Sequence, residues 1–140
     1  MQMIQCTRWG PLEQLEVVEA PDPTPGPGQA MVEVAAAGVN FVDALFVAGT
    51  YQIKVPPPFT PGSELAGTVS AIGEGVTDVA VGDRVLASTG IGAYASHALV
   101  AAKSLTPVPD ALGLASAAAL VQSYCTAWFA LTRRATVAEG

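Results

Sequence analysis

Proline and glycine punctuate this chain so closely that no regular element can run long before Asp110. The 140 residues include 14 Gly and 11 Pro. Proline has no N–H to give a ladder, and both residues favour turns. "PDPTPGPGQ" (21–29) therefore forms a stiff loop, and "TYQIKVPPPFTPG" (50–62) cannot continue a helix or a central strand. Between such breaks lie short runs rich in Val, Ile, Thr or Trp: "MIQCTRW", "QLEVVEA", "AMVEVAAAGV", "ELAGTVSAIG", Arg84–Ser88 and the pieces of "GAYASHALVAAKSLTPVP". Each reads as a strand. One helix interrupts them: Asn40 suits an N-cap, Asp43 sits at N3, and Gly49 marks the stop, so Phe41–Ala48 reads as helical. Only after Asp110 does the pattern become helical. The expectation is a mostly β fold with short helices, a partly open β-barrel over 1–110, followed by a helical segment over 111–140.

The remaining composition narrows the partners. Net charge is -6 and the sequence pI is near 4.5, and Arg133-Arg134 is the one adjacent basic pair. Nothing here neutralises a run of phosphates, which argues against nucleic acid. The hydrophobic fraction is 51% against 13% charged, with mean hydropathy +0.43. So apolar a chain of this size calls for something to cover it. "ALGLASAAALVQSYCTAWFALT" (111–132) has no charge and is long enough to span a bilayer. Its Ala content, together with Gln122, Ser116, Ser123, Thr126 and Gly113, favours a buried helix or two short helices instead. Cys6 and Cys125 are remote in sequence and read as buried, reduced thiols. "MQMIQC" lacks the basic head and apolar run of a signal peptide, so a cytoplasmic location is expected.

Most familiar chemistry is missing. No G-x-G-x-x-G joins a strand to a helix; "GIGAYA" (90–95) lacks its third glycine. Zinc needs three or four converging ligands, whereas His97 is the single histidine, in a predicted strand. No zinc site is expected, and no serine elbow or triad. Tyr51, Tyr94 and Tyr124 read as packing residues or pocket walls. Two carboxylates remain. Asp43 is explained by the helix start. Glu64 sits in "PGSELAGTV" among turn and apolar residues, so it is solvated, hydrogen-bonded, or kept for chemistry.

Four stretches in order, "AAAGVNFVDALFVAGTY" (35–51), "PGSELAGTVSAIGEGV" (61–76), "VGDRV" (81–85) and "AAALVQSYCTAWFAL" (117–131), resemble the medium-chain dehydrogenase/reductase superfamily. Within it the chain is similar to the zinc-free quinone oxidoreductase, or zeta-crystallin-like, branch. Asn40 and Ser63 stand where zinc-dependent relatives carry a ligand cysteine and histidine, and no four-cysteine lobe follows "GDRV". The resemblance implies a GroES-like domain leading into a Rossmann domain, with hydride transfer from NADPH to a quinone or conjugated carbonyl between them. It assigns Asn40, Gln122 and Thr126 to the nicotinamide end of the cofactor and Tyr51 to the substrate side. Glu64 would lie beneath the site, orienting its neighbours. Where several members carry a cofactor-facing tyrosine five residues after the Asn, this chain has Leu45.

The resemblance further implies that "TRRATVAEG" leads toward a nucleotide-binding domain beyond Gly140, so that the chain alone would lack activity. Its helical segment would then stand uncovered and drive self-association. The alternative expectation is a non-enzymatic GroES-like module that binds a protein partner through that apolar helix.

Overall fold

The computed structural model describes residues 1–137. Strands β1 (Gln2–Gln5) and β2 (Glu16–Glu19) form an antiparallel hairpin. The remaining strands are β3 (Gln29–Ala37), β4 (Glu64–Ile72), β5 (Arg84–Ser88), β6 (His97–Ala101) and β7 (Thr106–Pro107). They build one antiparallel sheet in the order β6-β3-β4-β5-β7. Single bridges, Met3 with Ala95 and Cys6 with Phe59, tie the hairpin to the rest. The result is mostly β and made of two open sheets, not a closed barrel.

Alternation in the central strands explains why this sheet is covered on both faces. Leu65 and Val69 of β4 and Val85 and Ala87 of β5 bury into one cluster with Val32, Ala98 and Val100. Their neighbours Ala66 and Leu86 point the other way, into a second cluster. Helix α2 (Leu114–Ala118) closes that second face with Ala117 and Ala118. Methyl-sized side chains let the helix sit close to the strands. A third cluster forms around Cys6, Phe46, Val47 and Phe59, where helix α1 (Phe41–Val47) meets the hairpin. Gly49, at φ 66°, ends α1 in the left-handed conformation that glycine adopts without strain.

The apolar segment after Asp110 divides into α2 and α3 (Leu120–Phe129), followed by a wide turn at Ala130–Arg134. This is the two-helix alternative of the sequence reading. The buried-helix alternative fails for α3, which has no buried residue. Tyr124 and Trp128 are 69% and 71% exposed, because no layer of the described fold lies over them. The expectation for the cysteines is corrected for the same reason: Cys6 is buried, but Cys125 on α3 is exposed, and both are free. No helix among the described residues is long and apolar enough to cross a membrane. Residues 138–140, the tail of the expected connector, lie outside the described residues.

Candidate active site

Two chain segments meet at a cavity of about 370 Å³ lined by Asn40, Phe41, Val42, Gln122, Ser123 and Thr126. The start of α1 supplies the first three residues and the first turns of α3 the others. Beneath them, at the first position of β4, lies Glu64, 1% exposed.

Both oxygens of the Glu64 carboxylate are engaged. Its Oε1 accepts the Asn40 Nδ2–H at 2.8 Å, and its Oε2 accepts the backbone N–H of Gln122 at 2.9 Å. The second bond solves a local problem of the sequence. A helix begins with N–H groups that have no intrahelical partner. The residue preceding α3, Ala119, has no side-chain oxygen to satisfy them. Glu64 does so from another element, placing negative charge at the positive end of the helix dipole. It thereby fastens the start of α3 to the start of α1. Gly38 makes room for this: a Cβ there would stand 2.8 Å from Glu64 Cδ and Cγ.

Asp43 holds Asn40 from the opposite side. Asn40 and Asp43 form a reciprocal capping box, in which Asp43 Oδ2 accepts the Asn40 backbone N–H at 2.8 Å. The same oxygen accepts the hydroxyl of Tyr94 at 2.8 Å. Burial first, and then this hydrogen bond and the charges of Asp43 and Glu64, raise the Tyr94 pKa well beyond the usual phenol range. Asp43 is 4% exposed, and its Oδ1 has no hydrogen-bond partner among the described residues. An N3 carboxylate was legible in the sequence; its burial and its tyrosine partner, 51 residues away, were not.

Of the residues singled out in the sequence, the fold gathers Asn40, Gln122 and Thr126 around one cavity with Glu64 under it. Tyr51 is elsewhere. Its ring packs 4.7 Å from that of Phe46, at 54°, against the third cluster. Ser63, 2% exposed, joins the site through its Oγ, 3.3 Å from Asn40 Nδ2. His97 begins the edge strand β6. Ser96 Oγ and Asp22 Oδ1 both approach its Nδ1, at 3.2 and 3.9 Å. A triad needs its two partners on opposite ring nitrogens, so this trio is not one. Among the described residues, no group of three His, Cys, Asp or Glu gathers as a metal site would require.

Residues 26–110, more than half of the chain, match the model of the alcohol dehydrogenase GroES-like domain. The chain belongs to that family. It is 42% identical over 136 residues to mouse quinone oxidoreductase-like protein 2, covering 96% of this chain and 38% of that protein. A probable oxidoreductase from Mycobacterium abscessus superposes with a TM-score of 0.89 at 40% identity, over 100% of this chain and 44% of its own. Escherichia coli quinone oxidoreductase, solved in complex with NADPH, gives a TM-score of 0.89 at 31% identity, over 95% of this chain and 41% of its own. This GroES-like domain is therefore of the medium-chain dehydrogenase/reductase type, with quinone oxidoreductases as its relatives. It spans between 38% and 44% of the length of these three proteins.

Proposed function

We propose that this GroES-like domain is the substrate-domain portion, over 1–110, of a zinc-independent oxidoreductase, and that 111–140 connects it to a nucleotide-binding domain. The reaction is transfer of a hydride from NADPH to a quinone or a conjugated carbonyl. Carrying the proposal is the Asn40–Glu64–Gln122 linkage, which fixes two helix starts around one cavity that carries amide and hydroxyl side chains. Buried and doubly hydrogen-bonded, Glu64 supports geometry; proton transfer is not its role.

The donor set fits the nicotinamide end of the cofactor. Amide and hydroxyl side chains from Asn40, Gln122 and Thr126 match a flat ring that carries a carboxamide and an adjoining ribose. NADPH supplies the hydride, which leaves as two electrons and one proton, and the reduced acceptor takes a further proton from solvent. The chain's own contribution is positional. Asn40, held by Asp43 and Glu64, and α3, held by Glu64, set where the ring lies. Tyr51 is proposed for the substrate side.

Hydride transfer needs cofactor and acceptor face to face, so this chain by itself is proposed to be inactive. The gene product as it occurs in its cells is the material to assay. Purified from them, it is expected to oxidise NADPH when menadione is added, and Asn40→Ala is expected to raise KM for NADPH. A product that carries this chain and leaves NADPH untouched across several quinones and enones overturns the proposal.

The exposed aromatic face of α3 favours a second reading, a non-enzymatic module that binds a protein partner there. Such a module would keep its partner when Asn40 is changed to Ala and lose it when Trp128 is changed to Ser.

A further inference from the structure

Asn40 is the polar side chain at the α1 end of the cavity, and its hydrogen bonds limit what it can give a ligand. An amide has two N–H hydrogens and one carbonyl oxygen with two lone pairs. Which end of the Asn40 amide faces Glu64 is decided by chemistry, because a carboxylate accepts and does not donate. Nδ2 therefore faces it, at 2.8 Å, and reaches Ser63 Oγ at 3.3 Å. Two acceptors thus serve the two hydrogens.

Neither acceptor is free to withdraw. Glu64 is 1% exposed, tethered at its other oxygen to the Gln122 N–H, and backed by Gly38. Ser63 is 2% exposed and sits in the chain just ahead of β4. On the other side of the amide, Oδ1 faces the Asp43 N–H in the capping box, which also donates to the Asn40 backbone carbonyl at 3.1 Å, so at least one Oδ1 lone pair is left.

We infer that Asn40 meets any occupant of the cavity solely as a hydrogen-bond acceptor, and so selects a ligand group that carries N–H or O–H. It cannot donate to a substrate carbonyl. Donors for such an oxygen come from α3: the Thr126 hydroxyl is exposed on the same cavity, and the Gln122 amide is half-buried there. This deepens the proposed function and rests on it for the identity of the ligand. A carboxamide N–H₂ or a ribose hydroxyl is what Asn40 would receive, whereas a quinone or enone oxygen would be turned toward α3.

The test uses the chain labelled with ¹⁵N, with nicotinamide and methyl nicotinate as probes. The two share a pyridine ring and a carbonyl, but only the amide has N–H to give. In the wild type, the Asn40 side-chain N–H₂ is expected to exchange with water far more slowly than that of exposed Gln52. Nicotinamide is expected to shift the Asn40 resonances and to bind roughly fivefold more tightly than the ester, the worth of one hydrogen bond. Ser63→Ala releases one Asn40 hydrogen and is expected to erase most of that preference. Methyl nicotinate binding as tightly as nicotinamide, with equal shifts at Asn40, overturns the inference. So does an Asn40 amide that exchanges as fast as Gln52. If neither pyridine shifts Asn40, while its hydrogens are protected and Ser63→Ala exposes one, the acceptor-only assignment stands. The nicotinamide reading then falls.

Discussion

Glu64 concentrates more of the site's geometry than any other side chain, since one carboxylate serves two helices. Glu64→Gln keeps its size and forces an N–H₂ against one of two donors. Loss of one buried charge-assisted bond is expected to cost about 1.5–3 kcal/mol in urea unfolding and to speed exchange of the Gln122 amide. Unchanged stability and exchange would remove Glu64 from this role. Gly38→Ala attacks the same carboxylate from behind, and overpacking there is expected to cost about 1–3 kcal/mol. Tyr94 gives a pH-dependent test. Its folded pKa is raised above the value of 10.0 that applies when the chain is unfolded. Folded and unfolded chains bind this proton equally below that pH. Above it the unfolded chain loses the proton first, so stability is present below the unfolded pKa and declines as pH rises toward the folded one. Tyr94→Phe is expected to flatten that alkaline decline in thermal melts; an unaltered slope would show that another group causes it.

At the scale of elements, α2 and α3 come from one apolar stretch yet carry opposite burdens. Ala117 and Ala118 of α2 are 0% and 1% exposed against Ala66 and Leu86, while α3 buries nothing. Ala117→Leu is therefore expected to destabilise by about 1–3 kcal/mol, and Cys125→Ala to stay within about 0.5 kcal/mol of wild type. Denaturation of the two variants side by side checks the contrast. Helix starts show the same division of local from distant causes. The α1 start was legible because its cap, Asn40, and its N3 carboxylate are neighbours in sequence. The α3 start was not legible in this way, since its N–H acceptor comes from a residue 58 positions earlier. No local signal announces such a cap.

Across the whole molecule, α3 and the turn that follows it present Tyr124, Trp128, Phe129 and Leu131 to solvent side by side, all more than half exposed. An apolar face of this kind is expected to drive concentration-dependent association of the isolated chain. Sedimentation at rising concentration should show it, and Trp128→Ser with Leu131→Ser should weaken it. A clean monomer throughout would show that the face is inert.

Sequence alone placed most elements up to Asp110, because Pro and Gly break the chain by local backbone chemistry and alternation marks the buried faces of strands; "MIQCTRW" is an exception, since β1 ends at Gln5. Motif order pointed to the family and to Asn40, Glu64, Gln122 and Thr126. Tertiary structure decided how those residues engage one another. It set Glu64 between Asn40 and the α3 start, paired Asp43 with Tyr94, sent Tyr51 into packing with Phe46, and left Cys125 exposed. The reason is physical: a turn or a cap is fixed by neighbouring residues, whereas the partner of a buried carboxylate is whichever donor the fold brings within 3 Å.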